Sequence, residues 1–165
     1  MKQYPVQPQP TMELFIIRHA IAEDGPDDAA RPLSEDGRKR FKETVAGLVN
    51  LELAFDQVLH SPLLRAVQTA ELLRPLVEAK MVATPLLAAT PSVALLELFS
   101  GPATAVVGHE PHLSTLIAWL VTGDKSLGGG FEMKKGAVAR LEGDPTPGGM
   151  RLRALIPPSI ARRVR

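Results

Sequence analysis

The stretch 14-LFIIRHA-20 joins a continuously apolar segment to an arginine and a histidine. Four apolar residues in succession, two of them β-branched, are typical of a strand buried on both faces of a parallel sheet. Polar residues that follow such a strand lie at its carboxyl end, where α/β proteins bind their ligands. We therefore expect Arg18 and His19 to lie at a binding site.

Strands and helices alternate along the rest of the chain, which predicts a three-layer α/β/α sandwich around a mainly parallel central sheet. Ser34 is the expected N-cap of the first helix, and Phe41, Val45, Leu48 and Val49 should form its buried face. Gly128–Gly130 is predicted to be a flexible loop. The predicted helices are Ser34–Leu51, Pro62–Glu78 interrupted or bent near Pro75, Ser92–Phe99 and Pro111–Val121; the strands after the first are Val58–Leu59, Met81–Ala83 and Ala103–Val107, followed by a hairpin of Ala137–Leu141 with Met150–Leu155.

Two further strand-to-helix junctions carry unusual residues. Ser61-Pro62 is a typical N-cap and first-turn pair, which puts Arg65 in the first turn of the helix that follows. A cation there faces the positive end of the helix dipole at a cost of roughly 0.3–1 kcal/mol, which is reasonable if the guanidinium binds an anion. His109 follows the fourth strand and precedes the last long helix. The fold prediction brings Arg18, His19, Arg65 and His109 to one edge of the sheet.

These four residue types suit phosphoryl transfer, in which negative charge spreads over three equatorial oxygens and catalysis is mainly positioning and electrostatics. Arg18 and Arg65 can offer planar forks of donors to those oxygens, and His109 can add another. His19 can attack phosphorus only when it is uncharged, and neighbouring arginines favour that form by lowering its pKa. The sequence does not identify the acceptor that would fix the tautomer of His19.

The motifs LFIIRHA (14–20), RPLSEDGRKR (31–40), HSPLLRAVQTAELL (60–73) and AVVGHEPHLSTLIAWL (105–120) resemble, in this order, the histidine phosphatase (phosphoglycerate-mutase-like) superfamily. Within it the chain is similar to the short phosphohistidine phosphatase branch typified by SixA, from about Met12 to Leu155. The resemblance implies a phosphohistidine intermediate on His19, phosphate binding by Arg18, Arg65 and His109, and neither a metal nor an organic cofactor.

The chain departs from the superfamily pattern at two places. Ala20 follows the histidine where members usually have glycine, a small change that we expect to be tolerated. Many members carry a general acid in the loop after the third strand, but residues 84–91 (TPLLAATP) contain no carboxylate. Glu97 and Glu110 are weak candidates for this acid, and Arg31 could border the pocket, form a salt bridge or lie in solvent.

The missing acid bears on the substrate. An alkoxide leaving group gains typically 10²–10⁴-fold from protonation, whereas imidazole, with a pKa near 6.5, is a far weaker base. We therefore favour phosphohistidine on a protein as the substrate. The alternatives are a phosphomonoesterase acting on a small metabolite, a phosphate-binding module without turnover, and a metal site at His109, Glu110 and His112, whose spacing is not that of HExxH.

Composition limits the remaining possibilities. The chain has 165 residues, 45% hydrophobic and 22% charged, as in a globular protein, and residues 12–165 are expected to form a single domain after a flexible extension, residues 1–11. A net charge of +1 gives no reason to expect nucleic acid or an anionic membrane as a partner. The absence of cysteine excludes disulfides and thiolate chemistry, and a cytoplasmic location is expected.

Overall fold

A mixed sheet of six strands forms the centre of the computed structural model, which describes residues 12–165; the predicted extension, residues 1–11, lies outside the described residues. The strands run in the order β3-β2-β4-β1-β5-β6, parallel from β3 to β1 and antiparallel from β1 to β6. The predicted mainly parallel sheet is therefore confirmed. The strands are β1 (Met12–Arg18), β2 (Phe55–His60), β3 (Val77–Ala83), β4 (Ala103–Gly108), β5 (Val138–Gly143) and β6 (Met150–Ile156).

Helices cover both faces of this sheet because alternate residues of β1 point to opposite sides. Leu14 and Ile16 pack into an apolar cluster with the helix after β4, and Phe15 and Ile17 pack into a second cluster with the helices that flank β2. All four side chains are buried, as expected of a strand in the middle layer. The helices are α1 (Glu35–Asn50), α2 (Leu64–Leu72), α3 (Val93–Leu96), α4 (His112–Thr122) and α5 (Pro158–Ala161).

The predicted helix Pro62–Glu78 is wrong at both ends. Ser61 is not its N-cap: α2 begins at Leu64 after Leu63, and the Ser61 hydroxyl accepts a hydrogen bond from the Leu63 backbone N–H instead. At the other end the chain forms a 3₁₀ turn around Pro75, because proline has no N–H to continue an α-helix. Val77 and Glu78 then belong to β3.

Of the other local predictions, some are confirmed and some are wrong. Ser34 caps α1 through a 2.9 Å bond from the Gly37 N–H, as predicted, and Gly123 ends α4 in the left-handed conformation. The predicted hairpin is confirmed as β5 and β6. Val49 is 44% exposed, so it does not belong to the buried face of α1. The predicted loop at Gly128 is a 3₁₀ turn packed on α4.

The predicted helix Ser92–Phe99 is also shorter in the structure. Ser92 is its N-cap, with its side chain accepting a bond from the Leu95 N–H, but α3 ends at Leu96, before the predicted end at Phe99. Within residues 12–165, none of the helices is long and apolar enough to cross a membrane.

Candidate active site

Three parallel strands end level with one another at the edge of the sheet where the candidate residues lie. Arg18 at the end of β1 pairs with Gly108 at the end of β4, and His60 at the end of β2 pairs with Val107. The residues that follow these strands therefore share one edge, as expected for an α/β ligand site. The imidazole rings of His19 and His109 meet there with their centroids 5.1 Å apart.

The His19 side chain is held in one tautomer. Its Nδ1 lies 2.7 Å from the Ala20 carbonyl oxygen, which can only accept a hydrogen bond, so Nδ1 carries the proton. Nε2 is left with the lone pair of a neutral imidazole. The backbone N–H of His19 donates to the Gly108 carbonyl at 3.0 Å and fixes the residue against β4.

The surroundings keep His19 uncharged. Its side chain is 5% exposed, and burial is the main reason that its pKa falls to about 3. The positive charges of Arg65 and Arg18, with His109, lower the pKa further, while the bond to Ala20 opposes them. At neutral pH the ring is therefore uncharged and lies beside two cations.

Arg65 lies in the first turn of α2, as predicted, and is 7% exposed. Its Nη1 donates to the backbone carbonyl of Asp28 at 2.7 Å, and its Nη2 donates to the Asp28 carboxylate at 3.2 Å. Asp28 therefore binds the edge of the guanidinium formed by Nη1 and Nη2. The Nε–H group, on the side it shares with Nη2, is buried and has no partner within residues 12–165.

Arg18, which directly precedes His19, also has a buried Nε–H group without a partner among the described residues. Its Nη1 donates to the Met133 carbonyl at 2.6 Å. In a guanidinium, the Nε–H and one Nη2–H point the same way and form the fork that binds carboxylates and phosphates bidentately. Arg18 and Arg65 thus each keep that fork available for an oxyanion.

His109 follows β4 and is 7% exposed. Its Nε2 lies 2.7 Å from the Ser61 hydroxyl oxygen, while its Nδ1 is buried and has no partner among the described residues. Burial is the main cause, ahead of the charge of Arg65, of the fall in the His109 pKa to about 4. His109 is therefore neutral near pH 7 and can act as a hydrogen-bond donor without adding a charge.

Thr69 connects two parts of the site. It is fully buried on α2, and its hydroxyl donates to the Arg65 carbonyl at 2.7 Å and accepts from the Ala20 N–H at 3.0 Å. The turn of helix that carries Arg65 and the backbone just after His19 are thus joined through one hydroxyl. Such a link helps to fix the position of Arg65 relative to the segment that carries His19.

The weaker candidates lie outside this group. The Glu110 carboxylate accepts a bond from the Ser114 N–H at 3.0 Å and so caps the start of α4, as expected of an anion at a helix N-terminus. Glu97 is exposed beyond the end of α3. Arg31 reaches the site only through Asp28, to which its Nη1 donates at 3.0 Å. Within residues 12–165 no group of three or more His, Cys, Asp or Glu side chains could hold a metal ion.

Four contributors to this geometry are not predicted from the sequence. Asp28 lies in a polar loop and gives no pattern that distinguishes it from neighbouring carboxylates. The carbonyls of Ala20 and Met133 bind His19 and Arg18, and any residue type has such a carbonyl. The sequence predicts Ser61 only as a helix cap and gives no sign of its hydrogen bond with His109.

Comparison with known proteins shows what this chain is similar to. Residues 14–89 match the model of the histidine phosphatase superfamily (branch 1). An uncharacterised protein of Picosynechococcus sp. is 49% identical over 65 residues, a match that spans 38% of this chain and 39% of that relative's length.

Solved structures match over nearly the whole chain. The tungstate complex of the protein histidine phosphatase SixA is 26% identical with a TM-score of 0.74, and the match covers 90% of this chain and 98% of that one. The α-ribazole phosphatase of Shigella flexneri is 19% identical with a TM-score of 0.69, covering 89% of this chain and 97% of that one. The second likeness shows the fold alone.

Proposed function

We propose, because the chain belongs to the histidine phosphatase superfamily on its SixA-like branch, that it hydrolyses phosphohistidine on a protein through an intermediate on His19. The observation that carries the proposal is the state of His19. Its proton is held at Nδ1 by the Ala20 carbonyl, its pKa is lowered to about 3, and two arginines flank it. A neutral nucleophile among cations is what attack on an anionic phosphoryl group requires.

In the first step the lone pair on Nε2 of His19 attacks phosphorus in line with the leaving nitrogen. The new N–P bond forms as the bond from phosphorus to the substrate imidazole breaks. The forks of Arg18 and Arg65, with the N–H of His109, supply donors for the three equatorial oxygens, whose charge is neutralised where it develops.

The leaving group needs no acid from the protein when it is imidazole. A phosphohistidine ring that carries a proton on its other nitrogen takes the bonding electron pair and departs as neutral imidazole. Glu110 is occupied at the start of α4. Asp28 is anionic, since hydrogen bonds from Arg31 and Arg65 lower its pKa, and it cannot donate a proton near neutral pH. These features support cleavage of a P–N bond over cleavage of an ester.

In the second step a water molecule attacks the phosphoryl group on His19. The N–P bond breaks, Nε2 recovers its lone pair, and inorganic phosphate leaves with the oxygen of water. The tautomer of His19 does not change during the cycle, because Nδ1 keeps its proton and its bond to the Ala20 carbonyl. The site is thus ready for another turnover without a proton transfer on the nucleophile.

The surface beside His109 supports a large substrate. A cavity of about 470 Å³ is lined by Glu110, Ser114 and Glu132 among others, and Glu132 adjoins the Met133 whose carbonyl binds Arg18. The lining also includes Lys125, so the cavity presents charges of both signs, which is compatible with a polypeptide that carries phosphohistidine. We place the reaction in the cytoplasm, as the cysteine-free composition allows.

A second candidate function is phosphomonoester hydrolysis of a small metabolite. It is favoured by the fold shared with the α-ribazole phosphatase of Shigella flexneri. A third is oxyanion binding without turnover, which would use the same arginine forks and leave His19 unmodified. The three differ in what they release and in what they leave on the protein.

A release assay separates them. The full chain is incubated with a phosphohistidine-bearing protein, with free phosphohistidine and with aryl or alkyl phosphate esters, and inorganic phosphate is measured. We expect the P–N substrates to be hydrolysed with at least about 100-fold higher kcat/KM than the esters. The reason is that this site lacks the general acid that ester hydrolysis needs, an effect worth 10²–10⁴-fold. Equal or faster ester hydrolysis favours the second function, and binding of tungstate without release of phosphate favours the third. His112→Gln is the matched control for His19→Gln, because it changes a histidine that is not one of the proposed site residues.

A further inference from the structure

The Ser61 hydroxyl is completely buried beside His109. It directly follows β2 with 0% exposure, and its Oγ lies 2.7 Å from His109 Nε2 and 3.2 Å from the Leu63 backbone nitrogen. Among residues 12–165 these two nitrogens are the only hydrogen-bond partners of this hydroxyl. A buried hydroxyl must use its proton as well as its lone pairs, so the two contacts can be assigned a direction.

The assignment follows from what each nitrogen can do. The Leu63 N–H can only donate, so it takes one lone pair of Ser61 Oγ. The Ser61 proton then has one acceptor within reach, His109 Nε2, which must carry a lone pair. A neutral His109 ring therefore has its own proton on Nδ1, and Nδ1 is the ring atom that is buried without a partner in the described part of the chain.

We propose that Ser61 is a positioning residue that holds His109 as its Nδ1–H tautomer, so that this N–H is free to donate to an oxygen of the transferring phosphoryl group. The inference rests on the proposed function for the identity of the acceptor. It does not depend on that function for the tautomer, which is a property of the resting protein. The two histidines are then complementary: His19 offers a lone pair at Nε2, and His109 offers a proton at Nδ1.

Loss of the Ser61 hydroxyl frees His109 to exchange tautomers. With the proton on Nε2, Nδ1 would present a lone pair to an anionic oxygen, and the contact would change from attractive to repulsive. This contact gains strength as charge develops on the phosphoryl oxygens, so its loss should reduce kcat more than it raises KM. Removal of a whole oxyanion donor costs roughly 100-fold to 1,000-fold in kcat, and a donor present in part of the population should cost about tenfold or somewhat more.

The tautomer can be read directly by nitrogen NMR of ¹⁵N-histidine-labelled protein, since protonated and unprotonated ring nitrogens resonate far apart. In the resting wild-type chain at neutral pH we expect His109 to be protonated at Nδ1 and unprotonated at Nε2. In Ser61→Ala we expect signals of both tautomers or of Nε2–H alone, and about a tenfold lower kcat. Ser61→Thr, which keeps a hydroxyl, should recover the Nδ1–H signal and most of the rate.

A wild-type spectrum with the His109 proton on Nε2 overturns the inference, and this result needs no variant to fold. An Ser61→Ala protein that keeps the Nδ1–H tautomer and the wild-type rate overturns it equally. The spectrum is recorded without substrate, so it also separates this inference from the proposed function. A chain that shows the expected tautomers but hydrolyses no phosphorylated compound contradicts the function and leaves the role of Ser61 supported.

Discussion

The His19 and His109 rings lie 5.1 Å apart, tilted by 49°, and each is anchored through a different nitrogen. His19 is held through Nδ1 by the Ala20 carbonyl, and His109 is held through Nε2 by the Ser61 hydroxyl. The ring nitrogen outside these two bonds is therefore Nε2 in His19 and Nδ1 in His109. The two buried rings therefore differ in which nitrogen is engaged by the protein.

Burial of two neutral histidines should make the protein sensitive to acid. The pKa values of His19 and His109 fall from 6.5 to about 3 and about 4. Both values lie below those of the unfolded chain, so unfolding takes up protons below about pH 6.5 and stability falls as pH decreases. Each group contributes a slope of up to about 1.4 kcal/mol per pH unit between the two values.

Urea denaturation at pH 7 and pH 5 tests this expectation. The free energy of unfolding should fall more steeply in the wild type than in the double variant His19→Gln/His109→Gln, since glutamine does not titrate. His112→Gln serves as the control for loss of a histidine at the start of α4 that is only a lesser cause of the lowered His109 pKa. Parallel losses of stability in the wild type and the double variant would show that the two rings are not held neutral by burial.

The arginine forks make a second prediction. Arg18→Lys and Arg65→Lys keep the charge but lose the bidentate donor pair, so we expect tungstate affinity to fall by about 10-fold to 100-fold in each. Isothermal titration calorimetry measures this loss. Arg74→Lys, which changes an exposed arginine paired with Glu71, should bind tungstate like the wild type. Full affinity in both Arg18→Lys and Arg65→Lys would mean that charge alone binds the oxyanion.

Asp28 provides a third test, because it is the carboxylate that contacts the site directly. It is held ionised by Arg31 and Arg65, so it orients Arg65 and does not act as a proton donor. Asp28→Asn keeps an oxygen acceptor and the backbone carbonyl, and we expect its rate on a phosphohistidine substrate to fall far less than the 10²–10⁴-fold lost with a general acid. The matched control is Asp24→Asn, a change at an exposed aspartate of the same loop. A fall of 100-fold or more, absent from the control, would identify Asp28 as the missing acid.

Much of this site could be predicted from sequence because it depends on the ends of strands. The apolar run before Arg18 fixed β1 as a buried strand, and the register of a parallel sheet then placed the residue after each strand at the same edge. His19, Arg65 and His109 are brought together by this rule alone. Their roles in catalysis remain predictions.

What could not be predicted depends on contacts between distant parts of the chain. Met133 and Asp28 bind Arg18 and Arg65 through backbone carbonyls, which carry no sequence signal. The predicted end of α2 at Glu78 is wrong because the helix does not resume after the interruption at Pro75; the chain leaves the helix there and pairs β3 with β2. In both cases tertiary structure overrides the local pattern.

Gly37 makes a fourth prediction, about the loop that supports the site. A Cβ added at Gly37 would collide with the carbonyl oxygen of Ile21, so α1 could not keep its position against the segment that follows His19. We expect Gly37→Ala to lower the free energy of unfolding by about 1–3 kcal/mol, as overpacking usually does. Gly129→Ala, where an added Cβ meets nothing within 4 Å, is the control. Equal stability of the two variants in urea denaturation would contradict the close packing at Gly37.

The central claim is that Nε2 of His19 attacks phosphorus, and the position of the phosphoryl group on the trapped protein tests it most directly. The chain is mixed with a phosphohistidine-bearing protein, quenched in alkali, and analysed by mass spectrometry and phosphorus NMR. We predict one acid-labile phosphoryl group on Nε2 of His19, present in His112→Gln and absent from His19→Ala. A phosphoryl group on Nδ1 or on another residue, or a His19→Ala variant with near wild-type turnover, would contradict the account.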